Sequence, residues 1–287
     1  MSNTTSIAKP RVLLDGLAYT ESPRWHDGRL WCPHWGMEEI IAVDLDGNCE
    51  VVAGGPPALG WATDWLPDGR RLVTGKELVR VEPDGSTVRH ADLSAVSPYG
   101  CSEIVIDGRG NVYVNSIGFD FLGGEDPGPA PGVLVLIPPD GEPRLVAKDL
   151  AFPNGMVITP DNATLIVGES FASKLTAFDI EHDGSLSNRR VWAEGIGPDG
   201  ITMDAEGAIW TSSGDNDCIR LLEGGEVTER FAFDRDMFAC MLGGPDRRTL
   251  FMLCQVWQGT DGVQDALAKR TGQILTTQVH VPGAGWP

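Results

Sequence analysis

No stretch of this chain approaches the roughly 18 consecutive apolar residues that a membrane-spanning helix requires. Its apolar runs, such as Val133–Ile137, are the length of a strand. Positive charge is scarce as well: 22 Lys and Arg stand against 41 Asp and Glu, a formal net charge of −19. Phosphate backbones are held by clustered Lys and Arg. Nucleic acid and membrane are therefore not expected as partners, and a cation is the ligand that such a chain suits. Part of the acidity serves solubility alone. None of the six cysteines, at 32, 49, 101, 218, 240 and 254, stands in C-x-x-C spacing, so neither a zinc cage nor a redox pair is indicated. The first residues, M-S-N-T-T-S-I-A-K-P, lack the apolar core of a signal peptide. A cytoplasmic protein with reduced thiols is expected.

Several catalytic fingerprints are missing too. There is no phosphate loop, no Rossmann glycine pattern and no H-E-x-x-H. G-E-S-F-A around Ser170 lacks the last glycine of a nucleophile elbow. D-L-D-G at Asp44 lacks the later Glu and the flanking helices of an EF-hand. Helical patterning is absent outside Gly262–Arg270.

What the chain has in excess is glycine and proline, 36 and 20 of 287 residues, about a fifth against an average near an eighth. Such a composition asks for many tight turns, while 41% hydrophobic residues and nine tryptophans argue for a packed fold. The turns recur with one pattern: D-G-R-L-W-C from Asp27, P-D-G-R-R-L-V from Pro67, D-G-R-G-N-V-Y-V from Asp107. P-D-N-A-T-L-I-V from Pro160, D-A-E-G-A-I-W from Asp204 and P-D-R-R-T-L-F-M from Pro245 continue it. A second hairpin, such as A-V-D-L-D-G-N-C-E-V-V, lies between successive turns. Each unit thus offers about four short strands, the content of one propeller blade. A lone blade cannot bury both faces, whereas a closed ring can. The expected fold is an all-β, six-bladed β-propeller forming a single domain over residues 1–287. The last unit is short, and the early run Arg11–Leu14 is expected to supply its outer strand and close the ring.

The segments before the six turns align as E-S-P-R-W, W-A-T-D-W, S-E-I-V-I, N-G-M-V-I, D-G-I-T-M and A-C-M-L-G. Their first residues, Glu21, Trp61, Ser102, Asn154, Asp199 and Ala239, should enter the innermost strands and face one another across the axis. Hard cations take carboxylate and amide oxygens, and two carboxylates left unpaired in a narrow channel would be costly. Glu21, Asn154 and Asp199 are therefore the expected ligands of one divalent metal ion. Calcium is placed ahead of zinc, magnesium or manganese.

T-E-S-P-R-W-H-D-G-R-L-W, F-P-N-G-M-V-I-T-P-D, L-T-A-F-D-I-E-H-D-G-S-L-S-N-R-R-V-W-A and P-D-G-I-T-M-D-A-E-G-A-I-W resemble the senescence marker protein/gluconolactonase family. The resemblance covers about Val12 to Leu253. It implies a six-bladed propeller with a divalent metal on the axis, ligands at Glu21, Asn154 and Asp199, and a proton-transferring aspartate at Asp199. Departures from the family pattern point elsewhere than gluconolactone. Ser102-Glu103 replaces Asn-Asp, Gly100 replaces an arginine, His34 replaces an aspartate in C-P-H-W, and Trp61 fills a place more often small.

These readings give catalytic candidates Asp199, Glu103 and His34, and substrate-binding candidates Trp61, Ser102 and Asp120. Asp120 lies in the Gly- and Pro-rich loop Gly118–Pro131, a lid candidate. The expected activity is metal-dependent hydrolysis of a lactone more apolar or aromatic than an aldonolactone, by a monomer or small homo-oligomer acting on a small molecule. Isomerisation, hydration or carbon–carbon cleavage at the same site is one alternative, and a non-catalytic calcium-binding propeller is another.

Overall fold

Asp27 and Gly28 both carry positive φ, 47° and 73°, as a type I′ turn requires. They join Arg24–His26 to Arg29–His34 in a tight antiparallel hairpin. Repetition of such hairpins builds the whole molecule, described by a computed structural model for residues 9–126 and 128–285. Residues 1–8, 127, 286 and 287 of the domain expected over 1–287 lie outside the described residues.

Six four-stranded antiparallel sheets form a six-bladed β-propeller. The innermost strands of blades one to six are Arg24–His26, Thr63–Trp65, Ile104–Ile106, Pro153–Ile158, Thr202–Met203 and Asp236–Gly243. Blade six takes its outermost strand from the other end of the chain. Arg11–Leu17 pairs with Gly272–Gln278, Arg11 opposite Thr276 and Leu17 opposite Gly272. The closing strand is thus longer than the Arg11–Leu14 run expected. The helix Val263–Lys269 sits within the expected Gly262–Arg270 and bridges two strands of blade six.

The core lies between blades. Ala62, Leu72 and Leu78 of blade two pack with Ile104, Val112 and Val135 of blade three. Leu30 and Ile41 of blade one pack with Ala239, Phe251 and Ile274 of blade six. Each sheet therefore needs its neighbours to bury both faces. Beyond the last strand the chain crosses the lower end of the ring. There Gly283 N–H donates to Arg247 O at 2.7 Å and Ala284 N–H to Met203 O at 3.0 Å, linking blades five and six. All six cysteines are free, five of them buried. Among the described residues no helix is long and apolar enough to cross a membrane.

Candidate active site

The inner strands begin near the upper mouth of the ring, and four of the six expected residues, Glu21, Ser102, Asn154 and Asp199, meet there, while Trp61 and Ala239 lie in the core. Glu21, Ser102, Glu103, Asn154 and Asp199 share the floor of a cavity of about 390 Å³. Glu21 and Glu103 are buried, Asn154 and Asp199 partly so. Gly155 and Gly200 explain how the strands come so close. A Cβ on Gly155 would lie 2.5 Å from Ile201 N, and one on Gly200 2.6 Å from Ala239 Cβ. Both glycines have ordinary negative-φ backbone and are required by close approach of the next blade, not by a turn.

A net of hydrogen bonds sets the floor. Ser22 N–H donates to Glu21 Oε2 at 2.7 Å, and the Ser22 hydroxyl donates to Glu103 Oε1. Asn115, fully buried one strand back, splints blades three and four. Its Oδ1 accepts Glu103 N–H at 3.1 Å, and its Nδ2 donates to Asn154 O at 2.7 Å. Asn154 Nδ2 donates to Ser170 Oγ at 3.3 Å, and Ser170 donates to Pro198 O at 2.7 Å, beside Asp199.

The electrostatics are one-sided. Burial, and then the charge of Glu103, push the Asp199 carboxyl up from its usual 3.8 to about 8. Burial, then Asp199 and Glu103, raise Glu21 well above the usual carboxylate range. Burial raises Glu103 against the opposing pull of Arg24 and Ser22. No Lys, Arg or His side chain lines this cavity among the described residues. Nor do three or more His, Cys, Asp or Glu side chains form a metal-binding cluster among them. The set Glu21, Asn154 and Asp199 offers two carboxylates and one amide instead. Its chemistry fits a hard cation: the charge of Asp199 raises the proton affinity of Glu21, and the Asn154 amide adds a neutral oxygen to the pair.

Of the other expected site residues, Asp120 lines the cavity, and its Oδ1 accepts Gly123 N–H at 2.8 Å, bracing its own loop. His34 does not reach the cavity. It is 2% exposed, its Nε2 accepts Ala18 N–H at 2.8 Å, and its Nδ1 lies 2.9 Å from Glu39. Both ring nitrogens are spent on structure, so the expected catalytic role is corrected. Trp61 is also corrected. It is 1% exposed in a core with Ile40 and Val73, its ring against Gly55, where a Cβ would come within 2.2 Å. Its carbonyl accepts the Trp35 indole N–H at 2.8 Å, so it supports a wall that it does not form.

That wall is made by residues the alignment missed. Phe119, Phe121, Phe152 and Phe171 contact one another on one side, with ring centroids between 4.5 and 6.4 Å apart. Tyr19, Trp35, Phe238 and Trp257 gather on the other, Tyr19 in contact with all three. Burial, then Asp199, Glu21 and Asp236, raise the Tyr19 hydroxyl far above its ordinary range.

Comparison with known proteins agrees with this architecture. Residues 19–255 match the family model described as SMP-30/Gluconolactonase/LRE-like region. A 6-deoxy-6-sulfogluconolactonase of Pseudomonas putida is 26% identical over 163 residues, 54% of this chain and 56% of that protein. The pentonolactonase XacC of Haloferax volcanii is 28% identical over 165 residues, 54% and 53% of the two chains. The match therefore spans about half the length of either relative. The crystal structure of a calcium-binding protein, regucalcin, from Agrobacterium tumefaciens superposes with a TM-score of 0.79 at 20% identity, covering 98% of this chain and 97% of that one.

Proposed function

The chain belongs to the SMP-30/Gluconolactonase/LRE-like family, and from that premise we propose that it is a divalent-metal-dependent lactone hydrolase. The observation that carries the reading is the convergence of Glu21, Glu103, Asn154 and Asp199 on one cavity floor that, among the described residues, no basic side chain lines. The lactonase names of two partial relatives support the bond type. The aromatic lining supports a substrate more apolar than an aldonolactone.

Glu21, Asn154 and Asp199 would hold the cation, calcium before zinc, magnesium or manganese. When bound there, a divalent cation supplies Lewis-acid charge at an ester carbonyl. Asp199, whose carboxyl is raised by burial and by Glu103 in the metal-free protein, would take the proton of the attacking water and return it to the leaving alkoxide. Glu103, held by Ser22 and by the Asn115 splint, accepts a substrate hydroxyl or the second proton. Ser102 borders the same floor, and Asp120 braces the loop at the entrance.

The test is proton release by purified protein against a panel of lactones, with and without chelator. Turnover abolished by chelator and restored by calcium is the expected result. Turnover that persists in chelator removes the metal from the mechanism. No turnover by a protein that binds calcium returns the site to a non-hydrolytic role.

A further inference from the structure

Tyr19 and Phe152 hold bulky rings in a backbone conformation that usually belongs to glycine. Their φ angles are 64° and 59°, in the left-handed region that L side chains rarely adopt. The two stand at matched places, Tyr19 two residues before Glu21 and Phe152 two before Asn154. The carbonyl of each accepts the amide opening a short 3-10 turn, Trp35 N–H at 2.9 Å and Ser170 N–H at 3.1 Å. Two residues before Ser102, blade three has Gly100 at φ 83°. Glycine thus satisfies this corner where no ring is needed. An aromatic residue there is an addition the backbone does not ask for, and such outliers gather where a site uses them.

Blades one and four lie on opposite sides of a six-bladed ring, so the two rings approach the floor from opposite directions. Tyr19 anchors the wall it shares with Trp35, Phe238 and Trp257. Phe152 anchors the wall it shares with Phe119, Phe121 and Phe171. Between the walls the floor is acidic and, among the described residues, lined by no basic side chain, and Asp120 adds a further carboxylate. Aromatic walls reward burial of apolar groups. An anionic group between them would lie near several carboxylates, and no Lys, Arg or His side chain lines the cavity among the described residues to receive it.

Resting on the lactonase reading, we propose that Tyr19 and Phe152 form a specificity pair. They grip from opposite sides a neutral lactone that carries an aryl or alkyl group, and phosphorylated, sulfonated or carboxylated lactones are rejected.

The experiment compares kcat/KM of the calcium-loaded protein for dihydrocoumarin, δ-decalactone, glucono-δ-lactone and 6-phosphogluconolactone. The aryl and alkyl lactones should exceed gluconolactone by about tenfold or more, the worth of a filled apolar subsite, and the phosphorylated lactone should not be turned over. Tyr19→Gly and Phe152→Gly keep the corner conformation available and should each cut the ratio of dihydrocoumarin to gluconolactone by about tenfold. Their thermal midpoints verify folding. Should either fail to fold, Tyr19→Asn and Phe152→Asn take their place, because asparagine also tolerates this conformation. An unchanged ratio in folded variants, or a preference for either sugar lactone, overturns the pair. Quenching of tryptophan fluorescence by 3,4-dihydro-2-quinolinone, a lactam that cannot be opened in this way, separates the two readings. Lactam binding by a protein inert toward every lactone keeps the apolar selectivity and sinks lactone hydrolysis. Hydrolysis that favours gluconolactone does the reverse.

Discussion

His34 and Glu169 are counterparts in opposite blades. His34 Nε2 accepts the amide of Ala18 at 2.8 Å, and Glu169 Oε2 accepts that of Ala151 at 2.9 Å. Each closes the second strand of its blade and precedes a short 3-10 turn, Trp35–Met37 or Ser170–Ala172. A buried amide at this corner has no ladder partner, and an unpaired one is costly. An imidazole and a carboxylate answer the same demand. Glu169 is also bound by Thr176, Lys174 and Arg189, which together outweigh its burial and hold its carboxyl below the usual range.

His34→Ala should therefore cost stability and leave the chemistry intact. The expected loss is about 1–3 kcal/mol for an orphaned buried amide, read from urea unfolding. The kcat on the best lactone should stay within about twofold, since no catalytic group is removed. A kcat loss of the size expected for a lost general base, about a hundredfold or more, would restore His34 to the mechanism.

Asp199→Asn keeps the shape of the side chain and removes its basicity. The expected loss in kcat is at least about a hundredfold, with the thermal midpoint of the metal-free protein preserved or raised. The rise follows from charge: Glu103 repels the ionised carboxylate, and an amide escapes that repulsion. Proton-release assays and scanning calorimetry on the same sample decide it. Wild-type turnover in the variant takes Asp199 out of proton transfer.

The pH dependence has a definite sign. The Asp199 carboxyl sits at about 8 when folded and 3.8 ordinarily, so between those values the folded protein keeps a proton that the unfolded chain has lost. The contribution of Asp199 to the stability of the metal-free protein should be greatest below the ordinary value and fall as pH rises toward 8. Calcium competes with that proton. Titration calorimetry at pH 7 in buffers of different ionisation enthalpy should register release of about one proton or more per calcium bound. Buffer-independent heats would show that Asp199 is already ionised.

Ser170→Ala should loosen the metal without touching it. Ser170 holds the Asn154 amide and ties it to Pro198. Loss of such outer support typically weakens metal affinity by about 10–100-fold. The readout is the calcium dissociation constant, with kcat at saturating calcium as the control that a purely structural defect would also lower. Unchanged calcium affinity would mean that Asn154 is oriented by other contacts.

The ring was legible because its turns repeat. Asp27, Asp107 and Asp204 follow the innermost strands of blades one, three and five, and periodicity of that kind reports architecture directly. The register that aligned Glu21, Asn154 and Asp199 picked residues that line one cavity. It misplaced Trp61 because sequence position fixes a Cα and not the direction of a side chain; here Gly55 leaves a slot between blades that the indole fills. His34 misled for a related reason: a histidine near the mouth looks reactive until the backbone donors around it are accounted for. Phe119 and Phe171 lie in a loop and a short turn outside the repeat, so no register argument reaches them. Asn115 did leave a trace, as a polar residue in the apolar run V-Y-V-N-S, but the two partners that give it meaning are distant in sequence.

The pairing of Arg11–Leu17 with Gly272–Gln278 also orders events in time. Arg11–Leu17 is made well before Gly272–Gln278 and has no ladder partner until that strand follows. Throughout synthesis the growing arc presents two raw sheet edges, templates for misassociation with other nascent chains. Only Gly272–Gln278 can cover Arg11–Leu17. Closure of the circle thus depends on two strands made far apart in time, and loss of either should be felt as failure of the whole arc to persist, not as the loss of one strand.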